Sequence, residues 1–501
     1  MGPIGVRREE LFSFDNQCFS LQGMYGPRLA RRVAGILADE RRFLQEQIAP
    51  LTLSEDLKHA EDHDYLSWEL MRRAGRHGRL TVYAPKFLGG SGGPTHLLAF
   101  MPLMEEMGAV DCAYTGMLGG HLLGLSVLLI NLGFLTRTLE ETVAHQFDEK
   151  PYVVSLAITE PSAGTDVEEW ELYPRAKIIC HARRVPGGAV LNGRKVFIST
   201  GHMATDHVVV APFDLKDPRS TMGIFMVNRE AKGFELGRKE RKMGQRAGPA
   251  SELIFEDCFI PKERIAHDPG DFPEHRGVFK NALNLALGMS RIAVGAWSVG
   301  TARAALERAF ELATTEKSQG RTLIDQQWAQ AILTNMLNNV FAARSVYLEA
   351  QFALTLSALG RARAISAPEF VGRPPVSRLV KMGYDLLRLQ KMLGSRWFRG
   401  QVFKRMKATD EDGMARLQYM SSMAKVAGSD AAMENCHLAV EFLGRAGLRH
   451  DQGLEKVFRD AKLLQIFEGT NQLNRLNIFD NFFARHLPGV KVYGDVPEAG
   501  K

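Results

Sequence analysis

Two segments of this 501-residue chain carry residue types that can do chemistry. Near the C-terminus, Arg459-Asp460-Ala461-Lys462-Leu463-Leu464-Gln465-Ile466-Phe467-Glu468-Gly469-Thr470-Asn471-Gln472 sets a carboxylate between an apolar run and a Gly-Thr turn. A carboxyl partly withdrawn from water holds its proton more tightly, and such a Glu468 can act as a general base. Taken singly, a surface Glu before a turn is the plainer reading. Far upstream, Leu156-Ala157-Ile158-Thr159-Glu160-Pro161-Ser162-Ala163-Gly164-Thr165-Asp166 leaves an apolar run and enters a loop of small residues. A loop of that kind lets backbone N–H groups approach a planar or anionic ligand without steric obstruction. By itself it is more simply an ordinary β-turn.

The elements that must position these residues follow from hydrophobic spacing. From about Arg28 to Gln146 the apolar residues recur at helical intervals, interrupted by the Gly-rich loop 87–94. From Pro151 to about Ile265 short β-rich runs take over: 153–158, 196–198, 208–210, 224–227 and 253–260. Asn192-Gly193 between apolar runs predicts a two-residue type I′ hairpin, which needs positive φ at both central residues. Beyond Ile265, the residues Ile292, Ala296, Val299, Ala302, Leu306, Ala309 and Ala313 make a helical stripe in steps of three and four. The expected domains are therefore 1–150 helical, 151–265 β and 266–487 helical, with a tail at 488–501. The first ~27 residues and a stretch near 358–420 look additional to that body.

Composition fits this plan: 45% hydrophobic and 24% charged residues make a globular chain, neither disordered nor fibrous. The five cysteines lie far apart with no Cys-x-x-Cys pair, which excludes a disulfide framework or zinc site as an organising principle and suits a reducing compartment, such as a bacterial cytoplasm. His59-x-x-x-His63 lacks a third ligand, so no metal is expected. The 89–93 glycines lack the Lys of a phosphate loop. His202 and His207 read as structural polar residues. The net charge of +6 is concentrated: residues 361–407 hold twelve cations against Glu369 and Asp385, so the rest is mildly acidic. Leu379, Met382, Leu386, Leu389, Leu393 and Trp397, flanked by Arg378, Lys381, Arg388 and Lys391, read as a basic amphipathic helix. It packs on its own protein or a subunit interface, docks on an anionic membrane surface or another partner, or contacts coenzyme A phosphates directly. Nucleic acid is not called for.

Together the segments resemble the acyl-CoA dehydrogenase family. Thr159 to Asp166, Phe197-Ile198-Ser199, Met243-Gly244-Gln245-Arg246 and Arg459 to Thr470 match that family's hallmarks in order and spacing. The resemblance implies an α+β fold with an N-terminal helical domain, a middle β-barrel-like or β-sandwich domain and a C-terminal helical bundle carrying the inserted basic segment. It implies FAD, held by Leu156, Ile158, Thr159, Gly164, Thr165, Phe197, Ile198, Ser199, Thr470 and Gln472. An acyl-CoA substrate would touch Thr165, Arg246, Arg291 and Gly469. Glu468 would be the α-proton base, because Ser290 occupies the position where some relatives carry it. The partners implied are an electron-transfer flavoprotein and a second copy of the chain, as homodimer or homotetramer. Departures fall where the family's Arg-x-x-Phe-Gly reaches a neighbouring subunit's FAD: here Glu316-Lys317-Ser318-Gln319-Gly320. Glu441 to Arg445 departs likewise, so Lys317, Gln327, Gly444 and Arg445 become the expected cofactor contacts. Other outcomes on the same fold are a flavin oxidase, monooxygenase or lyase, or a non-enzymatic flavoprotein that binds an anionic partner.

Overall fold

The computed structural model describes residues 19–273, 278–358, 393, 395–407, 411–487, 489–490 and 492–493. Most of the basic stretch 361–407 lies outside the described residues, and with it the apolar stripe 379–389. Within them the order is helical, β, helical.

The N-terminal part contains α1 (Phe19–Phe43), α2 (Thr52–Glu61), α3 (Trp68–Arg76), α4 (Pro94–Val110), α5 (Cys112–Val127) and α6 (Leu132–Ala144). Asp111 separates α4 from α5 by capping the second: its carboxylate accepts from Tyr114 N–H at 2.7 Å. Helix α5 is apolar on all sides because most of it is buried, running beneath β1 and beside the C-terminal bundle. Among the described residues two segments, Cys112–Ile130 and Phe279–Ala313, have the length and apolarity of a membrane span, and both are mostly buried within the protein.

Eight strands follow: β1 (Val154–Ala157), β2 (His181–Val185), β3 (Gly188–Ser199), β4 (Asp206–Pro212), β5 (Met222–Asn228), β6 (Phe234–Lys239), β7 (Ala250–Pro261) and β8 (Ile265–His267). They form two four-stranded sheets, ordered β1-β4-β5-β8 and β2-β3-β7-β6. Ala157, Leu191, Val209, Phe225, Leu253 and Phe255 belong to the core that joins them. The hairpin expected at Asn192-Gly193 is not there. Strand β3 runs straight through both residues and bulges against β7, while the β2–β3 turn falls at Pro186-Gly187. Gly193 has φ 128°, and a Cβ there would stand 2.5 Å from the Cys180 Cα. The glycine thus serves a bulge and a close backbone approach rather than a turn.

Among the described residues the C-terminal bundle contains α7 (Val278–Ala313), α8 (Gln327–Ala358), α9 (Arg396–Lys407), α10 (Glu411–Leu443), α11 (Leu454–Leu464) and α12 (Asn471–Ile478). All seven residues of the helical stripe on α7 are buried. Helices α7 and α10 touch backbone to backbone, since a Cβ on Gly428 would lie 2.4 Å from the Gly295 carbonyl oxygen. One turn from that crossing, α7 presents Ser290 and Arg291, and α10 presents Lys425. Gly428→Ala should force the helices apart and cost about 1–3 kcal/mol, as overpacking does. A chemical denaturation midpoint equal to the parent's would show that the crossing can widen freely.

Candidate active site

Glu468 is delivered by a turn with two successive left-handed residues, Glu468 at φ 57° and Gly469 at φ 77°. A non-glycine residue holds that conformation only where its surroundings fix it. Here Asn474 Nδ2 donates to the carbonyls of Glu468 (3.2 Å), Gly469 (2.8 Å) and Thr470 (3.1 Å). Thr470 then caps α12 by accepting from Leu473 N–H at 3.2 Å. The preceding helix α11 is anchored by the residues that make up its sequence signature. Arg459 bonds to Asp56 on α2 at 2.7 Å and to Glu455 at 2.7 Å. Asp460 accepts from Gln245 N–H and from Lys456, which also reaches Asp111 at 2.8 Å. Gly244 is small because a Cβ would meet the Arg459 carbonyl oxygen at 2.3 Å. The Arg-Asp-Ala-Lys and Met-Gly-Gln-Arg segments are therefore two halves of one joint.

The upstream loop is clamped in the same way. Glu160 is buried, and its carboxylate accepts from Ile179 N–H (2.7 Å), Cys180 N–H (3.0 Å) and Lys195 Nζ (2.8 Å). Lys195 also donates to the Ile158 carbonyl at 2.7 Å. This pairing ties the 158–166 loop to β3, whose last residues turn outward at Phe197, φ 58°.

These pieces meet on one cavity of about 780 Å³. It is lined by Leu156, Ile158, Thr159, Gly164, Thr165, Phe197, Ile198, Ser199, Glu468 and Thr470, all expected at the site. Helix α5 adds a small-residue face, Gly116, Gly119 and Gly120, and α7 adds Ser290 and Trp297. Arg291 stands directly behind the turn and donates from Nε to the Glu468 carbonyl at 3.4 Å. Gly469 sits on the same turn. Arg246 lies apart, 3.7 Å from Asp56, and is not among the lining residues. Lys317, Gln327, Gly444, Arg445 and Gln472 are exposed on the surface, away from the lining. The His59 and His63 rings are spent on Ser67 (3.0 Å) and the Lys239 carbonyl (2.9 Å). His202 and His207 pair with Ser251 (2.7 Å) and Ser155 (2.7 Å).

Electrostatics concentrate at the turn. Burial pushes the Glu468 carboxyl above the usual range, while a hydrogen bond from Ser290 and the charges of Arg291 and Lys425 pull it back. Burial also pushes the Lys425 amine down to about 7, and its Nζ is fixed on Asn471 Oδ1 at 2.6 Å. Sequence reading did not foresee Lys425 or Glu168, which also lines the cavity. The one signal for Glu168 is its place two residues beyond Asp166, at the end of the small-residue loop.

Phe197 is 60% exposed, an apolar ring turned toward the cavity from a left-handed position. Across the loop, a Cβ on Gly164 would meet nothing nearer than Thr159 Cγ2 at 3.9 Å. An uncovered aromatic face beside an open backbone fits a flat, fused-ring cofactor. Such a cavity, with a carboxylate at one end, suits the class of flavoprotein oxidoreductases. The chain matches the acyl-CoA dehydrogenase N-terminal domain over residues 36–133, the middle domain over 155–258 and the C-terminal domain over 279–365 and 396–483. The last match skips 366–395, inside the stretch that the sequence sets apart. A Mycobacterium tuberculosis protein described as a probable acyl-CoA dehydrogenase is 28% identical over 443 residues, 88% of this chain and 94% of that one. Cyclohexane-1-carbonyl-CoA dehydrogenase of Geobacter metallireducens is 26% identical over 87% of this chain and 94% of its own. Butyryl-CoA dehydrogenase from Megasphaera elsdenii shares the fold, with a TM-score of 0.66 at 22% identity, covering 89% of this chain and 97% of that one. The chain belongs to the acyl-CoA dehydrogenase family, and it is an FAD-dependent enzyme.

Proposed function

We propose that the protein oxidises the Cα–Cβ bond of an acyl-CoA thioester to a trans-2-enoyl-CoA, with Glu468 as the base that removes the α-proton. The observation that carries this reading is the Glu468 carboxyl held at the cavity on a pinned left-handed turn, with Ser290 bonded to it. FAD would be held by Leu156 to Thr165 and Phe197 to Ser199, and when bound it would supply the acceptor for the β-hydrogen as hydride. The α-proton beside a thioester is only weakly acidic, so the site must favour a carboxylate that is charged yet strongly basic. Burial makes Glu468 basic, and Arg291 with Lys425 keeps it charged. The Glu468 N–H, on the same turn, would donate to the thioester carbonyl as negative charge gathers there. Trp297 packs on Phe467, the residue before the base, at 5.3 Å between ring centroids. Electrons leave to an electron-transfer flavoprotein, and the working enzyme is a homodimer or homotetramer in a reducing compartment.

The test is anaerobic mixing of the purified flavoprotein with thioesters that span the substrates named for its relatives, butyryl-CoA and cyclohexane-1-carbonyl-CoA among them. Loss of the oxidised flavin band on addition of at least one thioester is expected, with re-oxidation by an electron-transfer flavoprotein. An oxidised flavin that no thioester bleaches would sink the reading in favour of lyase or scaffold roles. Re-oxidation by dioxygen alone at the turnover rate would make it an oxidase.

A further inference from the structure

Glu168 has no counterpart in the roles assigned above, yet it lines the site. Its carboxylate lines the same cavity as Glu468, and its Oε2 lies 3.0 Å from where a Cβ on Gly469 would be. Asn474 Nδ2 lies 3.1 Å from that same point. Three polar atoms in this nest are buried without a hydrogen-bond partner: Glu168 Oε2, Asn474 Oδ1 and Arg291 Nη2. Two unpartnered acceptors crowded behind one turn make an unfavourable arrangement, and buried polar atoms left unpaired are costly. A proton on Glu168 turns one of those acceptors into a donor. The charge inventory points the same way. Arg291 from α7 and Lys425 from α10 face Glu168, as do Glu468 from the turn and Glu169 from its own loop, while Tyr173 packs close by. Two carboxylates must therefore share two cations, and the Lys425 amine gives up its proton readily.

We propose that Glu168 is a positioning residue for Glu468: the two carboxyls hold one proton between them in the resting enzyme, with Glu168 neutral and Glu468 charged. This rests on Glu468 being the base. Glu468 ionises first because the Ser290 hydrogen bond favours its charged form, whereas Arg291 and Lys425 act on both carboxyls. Its charge, added to burial, then pushes the Glu168 carboxyl up to about 8. The neutral acid lets Arg291 serve Glu468 alone, and its proton leaves only when the medium turns alkaline.

The experiment is a pH titration of the resting holoenzyme, without thioester, followed by the infrared carbonyl band of protonated carboxylic acids. The parent is expected to lose one buried-acid band at a pH of about 8. Glu168→Gln should lack that step while keeping the flavin spectrum. Glu468→Gln should keep the step but move it to lower pH, because the repulsion on Glu168 is gone. Persistence of the step in Glu168→Gln, or an unmoved midpoint in Glu468→Gln, would overturn the proposal, as would a parent with no such step. These readings need no turnover, so they stand or fall apart from the dehydrogenation itself. With a thioester that bleaches the parent, the single-turnover rate should bend through about pH 8, the Glu168→Gln rate should not, and Glu168→Asp should restore the bend.

Discussion

Replacing Glu468 with Gln is expected to slow bleaching of the flavin by an acyl-CoA thioester by about 10²–10⁴-fold, the range that a positioned general base supplies. The amide keeps the shape and the bond to Ser290, and the turn is held by backbone carbonyls on Asn474 and Arg291 rather than by the carboxylate. The flavin spectrum and the denaturation midpoint should therefore stay at the parent's values. A variant that bleaches at the parent's rate would remove Glu468 from the reaction. A variant that loses FAD would make it a structural residue. Ser290→Ala gives the complementary expectation. It deletes the hydrogen bond that favours the charged form, so the acid limb of the rate profile should move to higher pH while the plateau rate above it stays near the parent's.

The cavity wall made by Leu156 to Thr165 and Phe197 to Ser199, and Glu468 beside it, were legible through the resemblance of their motifs to a family, since the residues taken singly read more simply as a β-turn and a surface Glu. The local pattern did give the elements that carry them, a loop of small residues after a strand and a carboxylate before a Gly-Thr turn. Glu168 and Lys425 were not legible, since each acquires its character from packing. Lys425 sits at full burial on α10 only because the α7–α10 glycine contact brings the two helices together. No spacing within α10 announces that crossing. Strands β2 and β6 were missed because Arg183, Arg184, Arg238 and Lys239 break the apolar pattern on edge strands. Asn192-Gly193 misled for the opposite reason: a local turn signal lost to a tertiary demand, the approach of Cys180 to a position that tolerates no Cβ. Lys317 and Arg445 lie exposed, outside the cavity lining where the family resemblance would put cofactor contacts.

Arg303→Met is expected to have the largest effect on stability, about 3–5 kcal/mol, the range for breaking a buried ion pair by removing one partner. Arg303 is 3% exposed and holds three acids at once: Glu105 at 3.0 Å, Glu106 at 2.6 Å and Glu307 at 3.1 Å. Arg344 reaches Glu105 at 2.6 Å, Tyr347 donates to it at 2.7 Å, and Arg41 reaches Glu106 at 3.3 Å. The network ties α1, α4, α7 and α8 together where α4 and α7 touch most closely. A Cβ on Gly300 would stand 2.1 Å from the Glu105 carbonyl oxygen, and one on Gly108 would stand 2.3 Å from that of Trp297. Without Arg303, three carboxylates remain in a low-dielectric layer with fewer cations than they need, so the cost exceeds the loss of any single bond. Adding Glu106→Gln should recover part of that loss, which chemical denaturation of the double variant would measure. A simple sum of the two single losses would show that Arg303 and Glu106 do not act as a pair. Helices α4 and α7 carry Met104 and Trp297 into the cavity wall, so bleaching by thioester should weaken along with stability. Unimpaired bleaching in a destabilised Arg303→Met protein would show that the wall is held from the α5 and α10 sides instead.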